Sequence, residues 1–470
     1  MLVDRPAIAS ATRRNSLSVL LVAGGCTLIG VGAVAAPTAT FGVTALVLLT
    51  ALLWMRPRLS LIAWLLSVTM VPYWVGVSQI VGFVPLAAVL GATAVLSAYL
   101  QGWWTPRTID YAVATFIAGG YLAVAFGGAS RAVWLAWITH WLVGYLVARA
   151  VGGSCDRDFL VKSFAAVMSL VGLFSSIEFL LSWHPFVSWY MPNRSFALWH
   201  PIQPRGEFER SEWAFGHSIS LGVCLAMALP FALSMKTSAW VKTTATLAIA
   251  AGCLLSLSRA GLLSLFVTLA LYVVFSRRIV GWTKVLCLVF MAAFSVSIYD
   301  FVQAWIADEA DATASTQYRV QMYRELIGSM SIVGQSDAAI SVGDQIYFAG
   351  YRSIDSAFLF IGLAYGWLFP VVLLAGIAAV ACYMIFGSAG SEKRPAAIAI
   401  LGTVPALSTV TFITQYQILF WFIVGILVNQ ILGVGRSPNS ASIGRSRLPS
   451  GPENEYAIGM AESTNGRTDE

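Results

Sequence analysis

Charge is scarce in this 470-residue chain: Asp, Glu, Lys and Arg together make up 11% of it, while 58% is hydrophobic. A water-soluble domain carries about 25% charged residues, so a soluble globular fold is excluded and a polytopic membrane protein is indicated. Cysteine is sparse. Cys26, Cys155, Cys224, Cys253, Cys287 and Cys382 are scattered and form no Cys-x-x-Cys pair, which excludes a disulfide framework and a cysteine zinc site. Histidine is limited to His140, His184, His200 and His217. The last three lie in or beside one polar segment with Glu207, Glu209 and Glu212, but their spacing fits no zinc pattern, so no metal is expected. The net charge of +6 is no argument for nucleic acid; it reflects basic cytoplasmic loops.

Long apolar runs are what the chain does have. A membrane-spanning helix needs about 20 apolar residues. Candidates fall at 17–35, 38–55, 59–76, 79–99, 109–127, 130–150, 158–182, 214–235, 241–257, 259–276, 284–304, 356–386, 396–412 and 416–433. The expected fold is therefore all-α: a polytopic transmembrane bundle of about fourteen helices. The long candidate at 356–386 contains Pro370, which can kink or tilt it. The first run ends in Ala33-Val34-Ala35-Ala36-Pro37. That resembles a signal-peptide cleavage site, but Pro37 beside the cut favours an uncleaved first span.

The distribution of basic residues supports this topology. With the N-terminus (1–16) in the cytoplasm, Arg56, Arg58, Arg107, Arg149, Arg157, Lys236, Lys242, Arg277, Lys284, Lys393 and Arg394 fall on or near the cytoplasmic side. The opposite side receives arginines and no lysine. The bands are an N-terminal bundle at 17–182, an outer loop at 183–213, more spans over 214–306, a second outer loop at 307–353 and final spans over 354–433. A Ser-, Pro-, Gly- and Asn-rich stretch at 434–470 reads as a disordered cytoplasmic tail. Loops as long as these two are usually functional. In the second, Val320, Tyr323, Leu326 and Ile327 recur at helical spacing, which predicts an amphipathic surface helix.

One residue stands out. Between Thr243 and Ser276 the only charge is Arg259, in Ser256-Leu-Ser-Arg-Ala-Gly261. The topology puts it at the outer boundary between two helices, with Ser258 able to cap the second. A cation at an electropositive helix start is unfavourable unless an anion joins them, and a helix start plus a guanidinium makes a phosphate site. The alternative is an arginine snorkelling to the interface.

The SLSRAG stretch resembles the SxSRxG signature of the O-antigen polymerase and O-antigen ligase family of membrane glycosyltransferases. Three further stretches are similar to that family, in order. Arg210-Ser-Glu-Trp-Ala-Phe-Gly-His-Ser-Ile-Ser-Leu-Gly222 matches a family pattern at Arg210, Phe215, His217, Ile219 and Gly222 and departs at Trp213, Ala214 and Ser218. Gln317-Tyr-Arg319 with Ile332-Val-Gly334 looks like the family's loop helix, and Ile354-Asp-Ser-Ala-Phe-Leu359 with Gly366 like the entry to the next helix. The resemblance covers roughly residues 190–430.

It implies an enzyme without a cofactor, embedded in the bilayer of a bacterial cytoplasmic membrane with both termini inside. Such an enzyme moves a glycan from a polyprenyl-pyrophosphate-linked oligosaccharide to a glycan acceptor at the outer face, with envelope-assembly proteins as partners. Arg259, Arg210 and Arg319 are then the pyrophosphate ligands, with Arg205 and Arg324 as weaker candidates. Arg205 and Arg210 could equally be a surface cluster with the three glutamates. Asp355 stands where ligases of the family carry histidine and polymerases often carry Asp. It reads as the base that assists the acceptor hydroxyl, or as a helix N-cap. His217 and Trp213 are candidate acceptor or sugar contacts. The competing class is a secondary transporter or flippase of an envelope precursor, against which stands the low charge in mid-helix.

Overall fold

A computed structural model describes the backbone of residues 56–79, 82–205, 208–277, 279–289, 291–293, 309–342, 345–351 and 353–433. The expected spans at 17–35 and 38–55, the signal-peptide question and the tail lie outside the described residues. Helix makes up 72% of the structure and strand 4%, so the all-α membrane class holds.

Among the described residues five helices are long and apolar enough to cross a membrane: α3 (Thr108–Phe126), α4 (Arg131–Ser154), α5 (Arg157–Leu181), α13 (Leu368–Phe386) and α16 (Thr414–Leu432). Others are apolar but shorter: α1 (Pro57–Met70), α2 (Leu86–Leu100), α7 (Ser218–Ser234), α8 (Ala239–Leu255), α9 (Arg259–Phe275), α10 (Gly281–Ala293) and the segment Pro395–Thr409. The expectation of about fourteen spanning helices is not met, because hydropathy does not register backbone breaks. The stretch at 356–386 divides into α12 (Ala357–Tyr365) and α13, and the break is at Gly366 (φ 103°) rather than at Pro370, which sits in the first turn of α13. The stretch at 396–412 divides at Thr403 into α14 (Pro395–Gly402) and α15 (Val404–Thr409). A β-hairpin, β1 (Gly76–Gln79) with β2 (Gly82–Pro85), shortens the spans on either side of it.

Both long loops carry structure. The first holds α6 (Arg194–Trp199) and the hairpin β3 (Pro204–Arg205) with β4 (Phe208–Glu209). The second holds α11 (Glu309–Leu326) and the hairpin β5 (Ala339–Val342) with β6 (Gln345–Phe348). The amphipathic helix is present, but its buried face is Met322 and Leu326 with Tyr323 half-buried; Val320 and Ile327 point to the outside. The chain after α11 fills the Gly366 break. Gly334 N–H donates to the Tyr365 carbonyl and Trp367 N–H to the Ser331 carbonyl, 2.8 and 2.9 Å.

The charges sort to two ends. At one, Arg58 pairs with Asp156, Lys236 with Asp158, and Arg157 donates to the Lys393 carbonyl. Just inside that end, Asp110 and Arg149 form a buried ion pair with Nε–Oδ1 2.6 Å. Tyr145 donates to the same carboxylate, and Asn429 accepts from Arg149, so the pair is fully bonded and ties α3, α4 and α16 together. Breaking one partner of such a pair typically costs about 3–5 kcal/mol. His140 is also internal: it bonds the Tyr73 hydroxyl at 3.0 Å and the Ala136 carbonyl at 3.0 Å within its own helix, as a structural residue does.

At the opposite end the starts of α7, α9, α12 and α16 converge. Thr414 Oγ1 is 2.8 Å from Ser220 Oγ, the Ser356 hydroxyl donates to the Leu407 carbonyl, and the Ala357 N–H donates to the Val410 carbonyl. α7 and α9 approach closely there, where Gly222 meets Gly261. A Cβ on Gly261 would lie 2.9 Å from the Gly222 backbone carbons, so only glycine allows the crossing. Gly261→Ala and Gly222→Ala should each lower stability by about 1–3 kcal/mol, the usual cost of overpacking. Thermal unfolding of the detergent-solubilised protein measures it, and Gly376→Ala, which meets open space, should leave the transition in place.

Candidate functional site

Arg259 is the first residue of α9, and Ser258 caps that helix by accepting the Gly261 N–H at 3.1 Å. The turn before it is tight: Leu257 adopts φ 48°, unusual for a branched residue. This is the geometry expected from the serines and glycine around Arg259.

Arg210 arrives from the first loop. Its side chain is buried, 8% exposed, and its Nε donates to the Ser256 carbonyl at 3.4 Å. Burial holds its guanidinium below the ordinary arginine value, Glu212 opposes this, and the charge of Arg259 lowers it further. Two cations therefore share a partly dry pocket of chain at a helix start. The reading of Arg210 as part of a surface cluster is corrected: the residue is inside.

Glu178 holds this loop in place. It lies in the last turn of α5, 2% exposed. Its Oε2 accepts from Ser211 Oγ (2.6 Å), Glu212 N–H (3.2 Å) and Trp213 N–H (2.7 Å), and its Oε1 is 2.9 Å from His184 Nδ1. Sequence reasoning missed Glu178. The available signal was a carboxylate at the end of an otherwise apolar span, where an uncompensated charge is costly. Next to it, burial pushes the Glu212 carboxyl up to about 7, against the Gln203 N–H and Arg210.

Trp213 departs from the expected role of sugar contact. Its ring is 8% exposed, stacked on Phe174 at 5.0 Å and edged by Phe186 at 4.9 Å. It packs the loop onto α5, and its strained φ of 44° is held by the bond to Glu178. His217 is the N-cap of α7: its Nδ1 accepts the Ile219 N–H at 3.1 Å. That nitrogen is therefore unprotonated, and the ring can offer only an Nε2–H donor.

A second cluster gathers at the same end. Arg319, on α11, has its guanidinium 3.5 Å from Asp355 Oδ2, and Ser353 Oγ donates to Asp355 Oδ1 at 3.0 Å. Both side chains are about one-third exposed, at 33% and 35%. Asp355 is not the helix cap. Ser356 is, accepting the Leu359 N–H at 3.3 Å while the Tyr323 hydroxyl lies 2.6 Å from its Oγ. The structural role open to Asp355 in the sequence belongs to its neighbour.

The remaining arginines are placed differently. The backbone of Arg205 pairs with Phe208 in the hairpin, and Arg324 is exposed in the last turn of α11. No group of three or more His, Cys, Asp or Glu among the described residues is arranged to hold a metal. An Asp-x-Asp sequence does occur, Asp156-Arg157-Asp158, but both carboxylates are engaged by Arg58 and Lys236 at the opposite end.

The first cluster can attract an anion at Arg210 and Arg259, and the second presents a carboxylate at Asp355. No family model matches the chain, and neither does any curated protein or solved structure. Removing the Ser356 cap should cost about 1 kcal/mol, whereas Asp355→Asn should leave stability unchanged. Unfolding midpoints of Ser356→Ala and Asp355→Asn, measured side by side, check this division of roles.

Proposed function

We propose that this chain is a membrane glycosyltransferase that draws on a polyprenyl-pyrophosphate-linked glycan at the outer face of a bacterial cytoplasmic membrane. Polymerisation of the glycan is favoured over its transfer to a different acceptor, because Asp355 occupies the position where polymerases of the resembled family carry Asp. A bundle with the N- and C-termini in the cytoplasm belongs to the same reading. The observation that carries it is the buried Arg210 beside Arg259 at the start of α9. Two guanidiniums that repel each other in a low-dielectric site are stabilised when a dianion binds between them.

The chemistry follows from these groups. The acceptor hydroxyl oxygen forms a bond to the anomeric carbon of the donor glycan, and the bond from that carbon to the pyrophosphate oxygen breaks. The hydroxyl proton passes to Asp355, and the electron pair leaves with the pyrophosphate, whose growing charge Arg210 and Arg259 neutralise. Arginine suits this task because its planar fork bonds phosphate oxygens bidentately. Arg319, beside Asp355, serves the phosphate and the carboxylate together.

A coupled transporter is the competing class. The buried charges at hand for it, Asp110 and Arg149, are fully bonded to each other and to Tyr145 and Asn429, which suits a structural tie better than a moving relay.

The purified protein in lipid nanodiscs, supplied with polyprenyl-pyrophosphate oligosaccharides from its host, should yield a ladder of added repeats. Arg259→Ala and Arg210→Ala should each lower transfer by two orders of magnitude or more, as loss of a group stabilising developing charge does. Asp355→Asn should lower it about 100-fold or more. A single addition to a different acceptor would assign a ligase. A folded protein with no product from any donor would overturn the reading in favour of transport.

A further inference from the structure

His184 stands three residues beyond the end of α5. Ser182 turns the chain back with φ 47°, and the Trp183 N–H closes the turn on the Glu178 carbonyl at 3.1 Å, a Schellman-type ending. The imidazole is thereby folded over Glu178. Its Nδ1 is 2.9 Å from Glu178 Oε1 and its Nε2 is 3.1 Å from Glu209 Oε2, and the ring is 9% exposed.

Ionised carboxylates only accept hydrogen bonds, and a neutral imidazole has one donor nitrogen. Bonds to a carboxylate at both nitrogens therefore require an imidazolium. The consequence for the site lies in the chain order. Glu209 is held by His184, Ser211 is held by Glu178, and Arg210 is the residue between them.

We propose that His184, as an imidazolium, is the positioning residue of the cationic site: by joining Glu209 to Glu178 it fixes the strand that delivers Arg210 to Ser256 and Arg259. The proposal rests on the anion-site reading given above. His184 does not touch the bound anion; it acts through Arg210.

The groups that face the imidazole are Glu178 from α5, Glu209 from β4 and, further off, Glu212 from the segment that follows. The bond to Glu178, opposed by burial and aided by the charges of Glu178 and Glu209, raises the affinity of His184 for its proton above the ordinary value. For a histidine raised in this way, the clamp is complete below the unfolded value of about 6.5 and is lost as pH rises through the higher folded value. Positioning of Arg210 should therefore weaken on the alkaline side.

Hydrogen exchange of the 208–213 amides, corrected for the intrinsic rate and followed from pH 5.5 to 8.5 in nanodiscs, tests this. Wild-type protection should fall with rising pH, at most about tenfold per unit, the limit for one proton. His184→Gln should be poorly protected and flat across the range. Glu212→Gln, which removes the other group titrating near neutrality, should retain the wild-type profile. Identical profiles in wild type and His184→Gln would overturn the role of His184, and so would a profile abolished by Glu212→Gln instead. Should His184→Gln fail to fold, the ring 15N shifts of wild-type His184 decide the matter: a neutral tautomer at pH 6 overturns the proposal.

Binding of inorganic sulfate, a dianion of constant charge over this range, separates the two readings. Affinity that tracks the protection profile supports both. No sulfate binding to wild type at any pH, with protection still governed by His184, would overturn the anion site on which the proposal rests.

Discussion

The architecture of the first long loop depends on a carboxylate taken out of water. Glu178, at the end of α5, is enclosed and would be prohibitively costly there without compensation. Four donors provide it, three of them from consecutive residues of the loop: the Ser211 hydroxyl and the Glu212 and Trp213 amides. The fourth is His184. Each bond satisfies the carboxylate and at the same time fixes one more residue of a segment that otherwise has little regular structure. Trp213 then seals the arrangement by stacking on Phe174 of the same helix. The chain on either side of Arg210 is immobilised, and the guanidinium is directed to the Ser256 carbonyl.

Backbone proximity makes the other half of the site. Gly222 and Gly261 touch without side chains between them, so α7 and α9 lie side by side near their starts, where helix N–H groups lack intrahelical partners. Ser258 and His217 each satisfy one of these groups. The remaining positive potential adds to that of Arg210 and Arg259. The same geometry that packs the helices thus makes this region favourable for an anion. Across the end of the bundle, Ser356 takes the capping role and leaves Asp355 partly exposed beside Arg319, where an ionised carboxylate can still meet a hydroxyl.

Much of this was legible in residue order, and the parts that were not have identifiable causes. The capping of α9 by Ser258 and the helix in the second loop follow from local rules that act over a few residues, and the structure agrees with both. The buried face of α11 does not follow: Met322 replaces Val320 as an inward residue because the neighbours of a loop helix are set by distant chain. Length is the other failure. Apolar runs measure how much chain can sit in lipid, not where the backbone is interrupted, so the breaks at Gly366 and Thr403 and the hairpin at 76–85 reduce the number of long helices.

Composition alone determined that the chain is a helical membrane protein, because a sequence with so few charges can satisfy its backbone in lipid only within helices or a closed barrel, and runs of this length suit helices. Short patterns also marked Arg259, since turn and cap chemistry is local, and the family resemblance marked Arg210, Arg319 and Asp355. Only the tertiary structure decided which of these meet. Arg210 and Arg259 are 49 residues apart in the chain, and what joins them is Glu178 and the Gly222–Gly261 contact. The pairing of His184 with two carboxylates was equally invisible, because whether a lone ionisable residue is exposed, paired or buried depends on what folds against it, and no spacing rule encodes that.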